Sequence, residues 1–158
     1  MTLCSLRVSL ACILFALASL VPAQATADVA AGGHFGLNLD AGHPMLGADL
    51  RIDLITLSNR VQMDLWPAYT HVFIEDYHDV DLLEVDVPFL ISMPNPHVVP
   101  YVAPGLGLSF SGGSTLKLNL IGGCLFPVGE RFEPFAQLAV RMIQGTYVDL
   151  MGGMLVRF

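Results

Sequence analysis

A chain of 158 residues is long enough for one domain, and its formal net charge of −7 argues against nucleic acid as a partner. Only 13% of its residues are charged, about half the roughly 25% usual in soluble domains, and the mean hydropathy is +0.62. No apolar run is long enough for a membrane-crossing helix, so strands must present this apolar surface to something other than water.

Met1 to Ala27 reads as a secretory signal peptide. Arg7 is its only charge, Val8 to Val21 is the apolar run, and Pro22-Ala-Gln-Ala-Thr-Ala27 offers two overlapping small-x-small cleavage sites. Cleavage is expected after Ala27, with Ala25 the neighbouring option, which leaves residues 28–158 as one domain. Loss of Arg7 takes the charge from −7 to −8. Cys4 and Cys12 leave with the signal, and Cys124 alone cannot form a disulfide within the processed chain. Cys12 lies within the apolar run, not after it, which disfavours a lipoprotein.

The remaining chain alternates with a period of two, the mark of strands. Strand one covers His34 to Leu39, and Asp40-Ala-Gly-His-Pro-Met45 turns it. Strand two runs from Leu46 to about Leu54 and strand three from Val61 to Phe73. The polar run Glu75 to Asp81 follows. Strand four is Leu82 to Ser92, strand five Val98 to Phe110 and strand six Thr115 to Phe126. Strand seven covers Phe132 to Ile143, and the last strand fills Tyr147 to Phe158. These eight strands have short connections, with no room for a helix or a parallel crossover, so their order is up-and-down and antiparallel.

Eleven charged residues fall inside these strands: Asp49, Arg51, Asp53, Asp64, Glu84, Asp86, Lys117, Glu133, Arg141, Asp149 and Arg157. All lie on the face opposite the long apolar stripe. That face also carries Gly36, Gly105, Gly107, Gly123, Gly153, Ala68, Ala103 and Ala139, small residues suited to a narrow interior. Eight strands enclose a space just wide enough for side chains. The polar face is therefore expected inside and the apolar face outside, the arrangement of a transmembrane β-barrel. The enclosed charges are expected to pair as a lumen network, because unpaired charges in a narrow cavity are costly. Pro67, Pro88, Pro100, Pro104 and Pro134 resist this scheme, since a closed barrel has no free edge for a residue that cannot donate.

A terminal Phe158 behind alternating Val148, Leu150, Met154 and Val156 resembles the end of bacterial outer-membrane β-barrels, whose closing strand carries the insertion signal. Three further phrases, Leu83-Glu-Val-Asp-Val-Pro-Phe-Leu90, Val99-Pro-Tyr-Val-Ala-Pro-Gly-Leu-Gly-Leu108 and Glu133-Pro-Phe-Ala-Gln-Leu-Ala-Val140, resemble the small outer-membrane protein β-barrel domain family over roughly residues 32 to 158. The resemblance implies an eight-stranded antiparallel up-and-down transmembrane β-barrel, porin-like in build, in the outer membrane of a Gram-negative cell. It also implies Val148, Leu150, Met154, Val156 and Phe158 as the insertion signal read by the barrel-assembly machinery. The implied surroundings are outer-membrane lipid, with the chain as a monomer and no cofactor, catalytic residue or metal site. The surface partner is left unknown.

Chemistry-bearing residues add little. Glu84 and Asp86 could form a carboxylate dyad, but no nucleophile or histidine stands beside them. The loop Glu75 to Asp81 has alternating acids suited to calcium, yet lacks the Gly and closing Glu of a calcium loop. His34, His43, His71, His78 and His97 have no metal-ligand spacing and read as single surface histidines. Cys124 falls on the apolar face. Trp66, Tyr69, Phe73, Tyr77, Phe110, Phe126, Phe132, Tyr147 and Phe158 fall near strand ends and suggest aromatic girdles. The expected role is non-catalytic, structural or surface-contacting. A soluble, exported lipocalin-like barrel with an apolar ligand is the first alternative and a lipid A-modifying outer-membrane enzyme the second. The lipid A deacylase kind uses a His-x-Ser pair on one strand, which this sequence lacks.

Overall fold

The computed structural model describes residues 28–74, 79–94, 97–142 and 145–158; the signal peptide read at residues 1–27 lies outside them. Nine strand segments succeed one another: β1 (Val29–Asn38), β2 (Pro44–Ser58), β3 (Val61–Val72), β4 (Val80–Asp86), β5 (Phe89–Ile91), β6 (Val99–Phe110), β7 (Ser114–Leu125), β8 (Phe132–Met142) and β9 (Thr146–Arg157). All described secondary structure is β. Segments β4 and β5 are two parts of one wall strand, interrupted at Val87-Pro88, and both lie between β3 and β6. The wall therefore has eight strands, all antiparallel. It closes where β1 meets β9, from Ala30 opposite Arg157 to Asn38 opposite Asp149. Closure removes the free edges that an open sheet would expose.

Period-two alternation turns every second side chain inward. Phe35, Leu46, Leu106, Leu116, Leu138 and Leu150 point outward and are exposed, whereas Asp49, Arg51, Asp64, Glu84, Arg141 and Asp149 are buried inside. The lipocalin-like arrangement, with the apolar side forming a calyx, is thereby overturned. Gly42 and Gly112 sit in the turns after β1 and β6 with φ of 72° and 74°, a left-handed conformation that favours glycine.

Of the boundaries that differ from those read in the sequence, the start of the first strand and the end of the second have a clear physical reason. The first strand starts at Val29 rather than His34, because Gly32 and Gly33 pair with both β2 and β9. A Cβ on Gly32 would lie 1.9 Å from the Met154 carbonyl oxygen, so its bare backbone permits close closure. Strand two continues past Leu54 to Ser58 through register shifts between Asp53 and Ile55 and between Thr56 and Ser58. Bulges of this kind insert an extra residue into one strand, and here Leu54, Ile55 and Leu57 are all exposed.

Candidate functional site

The lumen encloses a polar environment, and it is filled in layers. Toward the chain termini, Arg51 Nη1 lies 2.6 Å from Glu133 Oε2 and its Nε lies 3.3 Å from Asp64 and 3.6 Å from Asp53. Glu133 also accepts from Arg157 Nη2 at 2.6 Å, while Arg157 Nη1 reaches Asp28 at 3.3 Å. Toward the opposite end, Arg141 donates through Nε and Nη2 to the two oxygens of Glu84, at 2.7 and 2.6 Å. It also pairs with Asp149. Asn38 donates to Asp149 at 2.6 Å and Asn119 to Glu84 at 2.8 Å. A fork of two N–H donors on one carboxylate fixes geometry more strictly than a point charge can.

Between these clusters lies a belt that sequence reading missed. Trp66, counted there as a girdle residue, is buried at the centre of the lumen. Its ring centroid is 5.5 Å from that of Tyr101 and 5.2 Å from that of Phe135, and its Nε1–H donates to Asp49 at 3.1 Å. Tyr101 Oη donates to Gln137 at 2.5 Å. These rings fit because glycines face them: a Cβ on Gly123 would stand 2.6 Å from Tyr101 and one on Gly153 would stand 2.7 Å from Phe135. The usable signal was parity, since Trp66, Tyr101 and Phe135 share a face with charged or small residues. Strand-end counting hid it.

His34 is likewise buried, correcting its reading as a surface histidine. Its Nδ1 lies 2.8 Å from Asp49 Oδ2 and its Nε2 lies 3.0 Å from Thr70 Oγ1. This order of carboxylate, imidazole and hydroxyl is that of a nucleophile relay, with Thr70 fully buried. The layers leave a cavity of about 10 Å³ lined by His34, Asp49, Thr70, Glu84, Asp86 and Tyr101 among others, roughly the room one water needs.

Of the eleven charges read as a lumen network, all face inward. Asp49 is matched with His34 rather than with a base, and the Lys117 ammonium sits 5.4 Å from the Tyr147 ring centroid rather than on a carboxylate. The contact to Asp86 is the Asn119 amide at 3.3 Å. On the outer face, Tyr69 Oη and His71 Nδ1 each lie 2.7 Å from Asp81, and His71 Nε2 lies 3.5 Å from Asp79. His71 is thus paired rather than single. Residues 75–78 of the acidic loop lie outside the described residues, and no cluster fit for a metal occurs among the described ones. Val148, Leu150, Met154 and Val156 point outward from β9. Phe158, exposed just beyond it, donates its N–H to the Val29 carbonyl at 2.9 Å.

No protein-family model and no curated protein matches the chain. Solved structures do. The N-terminal β-barrel domain of Pseudomonas aeruginosa OprF is similar with a TM-score of 0.64 at 16% identity, over 83% of this chain and 97% of that one. The outer-membrane enzyme PagL gives 0.61 at 13% identity, over 82% and 97%. The Yersinia pestis outer-membrane protein Ail, in a phospholipid bilayer nanodisc, gives 0.58 at 15% identity, over 84% and 98%. Identities this low carry the fold alone. That fold is the eight-stranded transmembrane β-barrel of the bacterial outer membrane.

Proposed function

We propose that this chain is a non-catalytic protein of the Gram-negative outer membrane, holding a structural or surface-contact role behind a lumen closed to ions. The observation that carries this reading is the pair of charge clusters on Arg51 and Arg141, set at opposite ends of the lumen with the Trp66 belt between them. Ions crossing such a lumen would have to displace buried, paired charges, and breaking a buried pair costs several kcal/mol. The outward apolar side chains suit outer-membrane lipid. The closing strand with Val148, Leu150, Met154, Val156 and Phe158 suits recognition by the barrel-assembly machinery, and a closed wall needs no second copy.

Reconstitution in a planar bilayer tests the closure: the expected record is a silent baseline, and steady unitary conductance would refute it. Because PagL is an enzyme on the same fold, the non-catalytic part needs its own test. Overexpression should leave the mass spectrum of lipid A unchanged, and a lost acyl chain or an added group would reverse the assignment.

A further inference from the structure

Three prolines stand at mid-wall on neighbouring strands: Pro67 on β3, Pro88 between β4 and β5, and Pro104 on β6. In an antiparallel ladder, a hydrogen-bonded pair exchanges two N–H···O bonds. Asp64 N–H donates to the Pro88 carbonyl at 3.0 Å and Val87 N–H to the Pro104 carbonyl at 2.9 Å, but neither proline can return the bond. The β2–β3 ladder is likewise unpaired between Asp49–Ala68 and Ile52–Leu65, where Pro67 faces Leu50. Three successive seams each forgo one bond, at Leu50–Pro67, Asp64–Pro88 and Val87–Pro104, so no proline N–H reaches the carbonyls of Leu50, Asp64 and Val87.

The register does not slip across these gaps: Trp66 opposite Asp86 and Met63 opposite Phe89 keep one alignment, as do Asp86 opposite Gly105 and Phe89 opposite Val102. The strands are therefore adjacent but held by one bond where an ordinary pair has two. By contrast, β8 and β9 pair without interruption from Phe132–Val156 to Met142–Thr146. Behind the gaps lies the lumen cavity, whose lining includes Trp66, Asp86 and Ala103, each next in sequence to a seam residue.

We propose that the wall from β3 to β6 is a lateral seam that opens locally at Pro67, Pro88 and Pro104, admitting water to the cavity from the side. Bared carbonyls are acceptors only, so they recruit a donor such as water, and in a bilayer an unmet backbone group costs several kcal/mol. Axial entry is blocked by the two charge clusters, whereas the seam has fewer bonds to break. Local opening of this kind is the low-stability end of a native structure. The inference does not depend on whether the protein is catalytic.

Amide hydrogen exchange of the folded protein in lipid nanodiscs, read by NMR, tests it. The Asp64 and Val87 amides should exchange at least tenfold faster than those of Leu138 and Val140 on β8. A Leu65→Cys/Val87→Cys disulfide in a Cys124→Ala background bridges directly opposed outward positions. It should slow the amides of Asp64 and of position 87 while leaving β8 and β9 unchanged. Equal rates in the wild-type protein would overturn the proposal, as would fast exchange that the disulfide leaves unaltered.

Discussion

Arg141 shows how much a single side chain carries. It is almost wholly buried, forked onto Glu84 and paired with Asp149. Removing it strands two carboxylates in a space from which water is excluded, and truncating one partner of a buried pair costs about 3–5 kcal/mol. Arg141→Met should lower the unfolding free energy by about that amount in urea titrations from lipid vesicles. Glu84→Gln with Arg141→Met should recover a large part, since the double change removes both ends of the forked pair. Additive losses would mean the fork contributes little. Trp66 gives a second handle because it is the only tryptophan and its ring faces the lumen. Lipids brominated on their acyl chains should quench its emission far less than that of an outward Leu150→Trp in a Trp66→Phe background. Equal quenching would place Trp66 in the wall's outer face.

Element by element, β9 bears the most consequence, since it makes the closing contact with β1 and leads into Phe158. Phe158 is 82% exposed and packs little of the barrel, while its backbone N–H completes the seam with Val29. Phe158→Ala keeps that N–H and should therefore leave equilibrium stability within about 0.5 kcal/mol. It should reduce the amount of barrel reaching the outer membrane in cells. A loss of stability matching the loss of assembly would show a packing role instead of a recognition one. Strand β1 illustrates the cost of closure, because Gly32 must admit the Met154 carbonyl where β9 crosses it.

At the scale of the whole molecule, the barrel turns the usual arrangement of a soluble fold inside out. Its exterior leucines and valines have hydrocarbon as solvent, and strands of 10 to 12 residues such as β1, β6 and β9 match the length that crosses a bilayer when tilted. Closure leaves every wall strand with two neighbours, so opening one requires breaking two ladders within lipid. The detergent-purified protein should therefore migrate differently before and after boiling on a gel. Identical migration would mean the closed wall does not survive detergent.

The alternation of residues determined which side chains share a face, because period two is local and survives without knowledge of any partner. From it follow the eight wall strands, the inward placement of all eleven strand charges, and the outward Val148, Leu150 and Met154. What alternation could not specify was pairing across the lumen. Arg141 meets Glu84 from 57 positions away, and Trp66 meets Phe135 only once the sheet has curled shut. His34 showed the same face as Gly36 and Asn38, yet its contact with Asp49 and Thr70 depends on three strands adopting one register. The prolines looked like faults in a strand pattern, and only the closed wall set Pro67, Pro88 and Pro104 on three successive seams. Direction along a strand is written residue by residue, whereas depth, partner and neighbour arise from closure, which brings distant segments within a few ångströms.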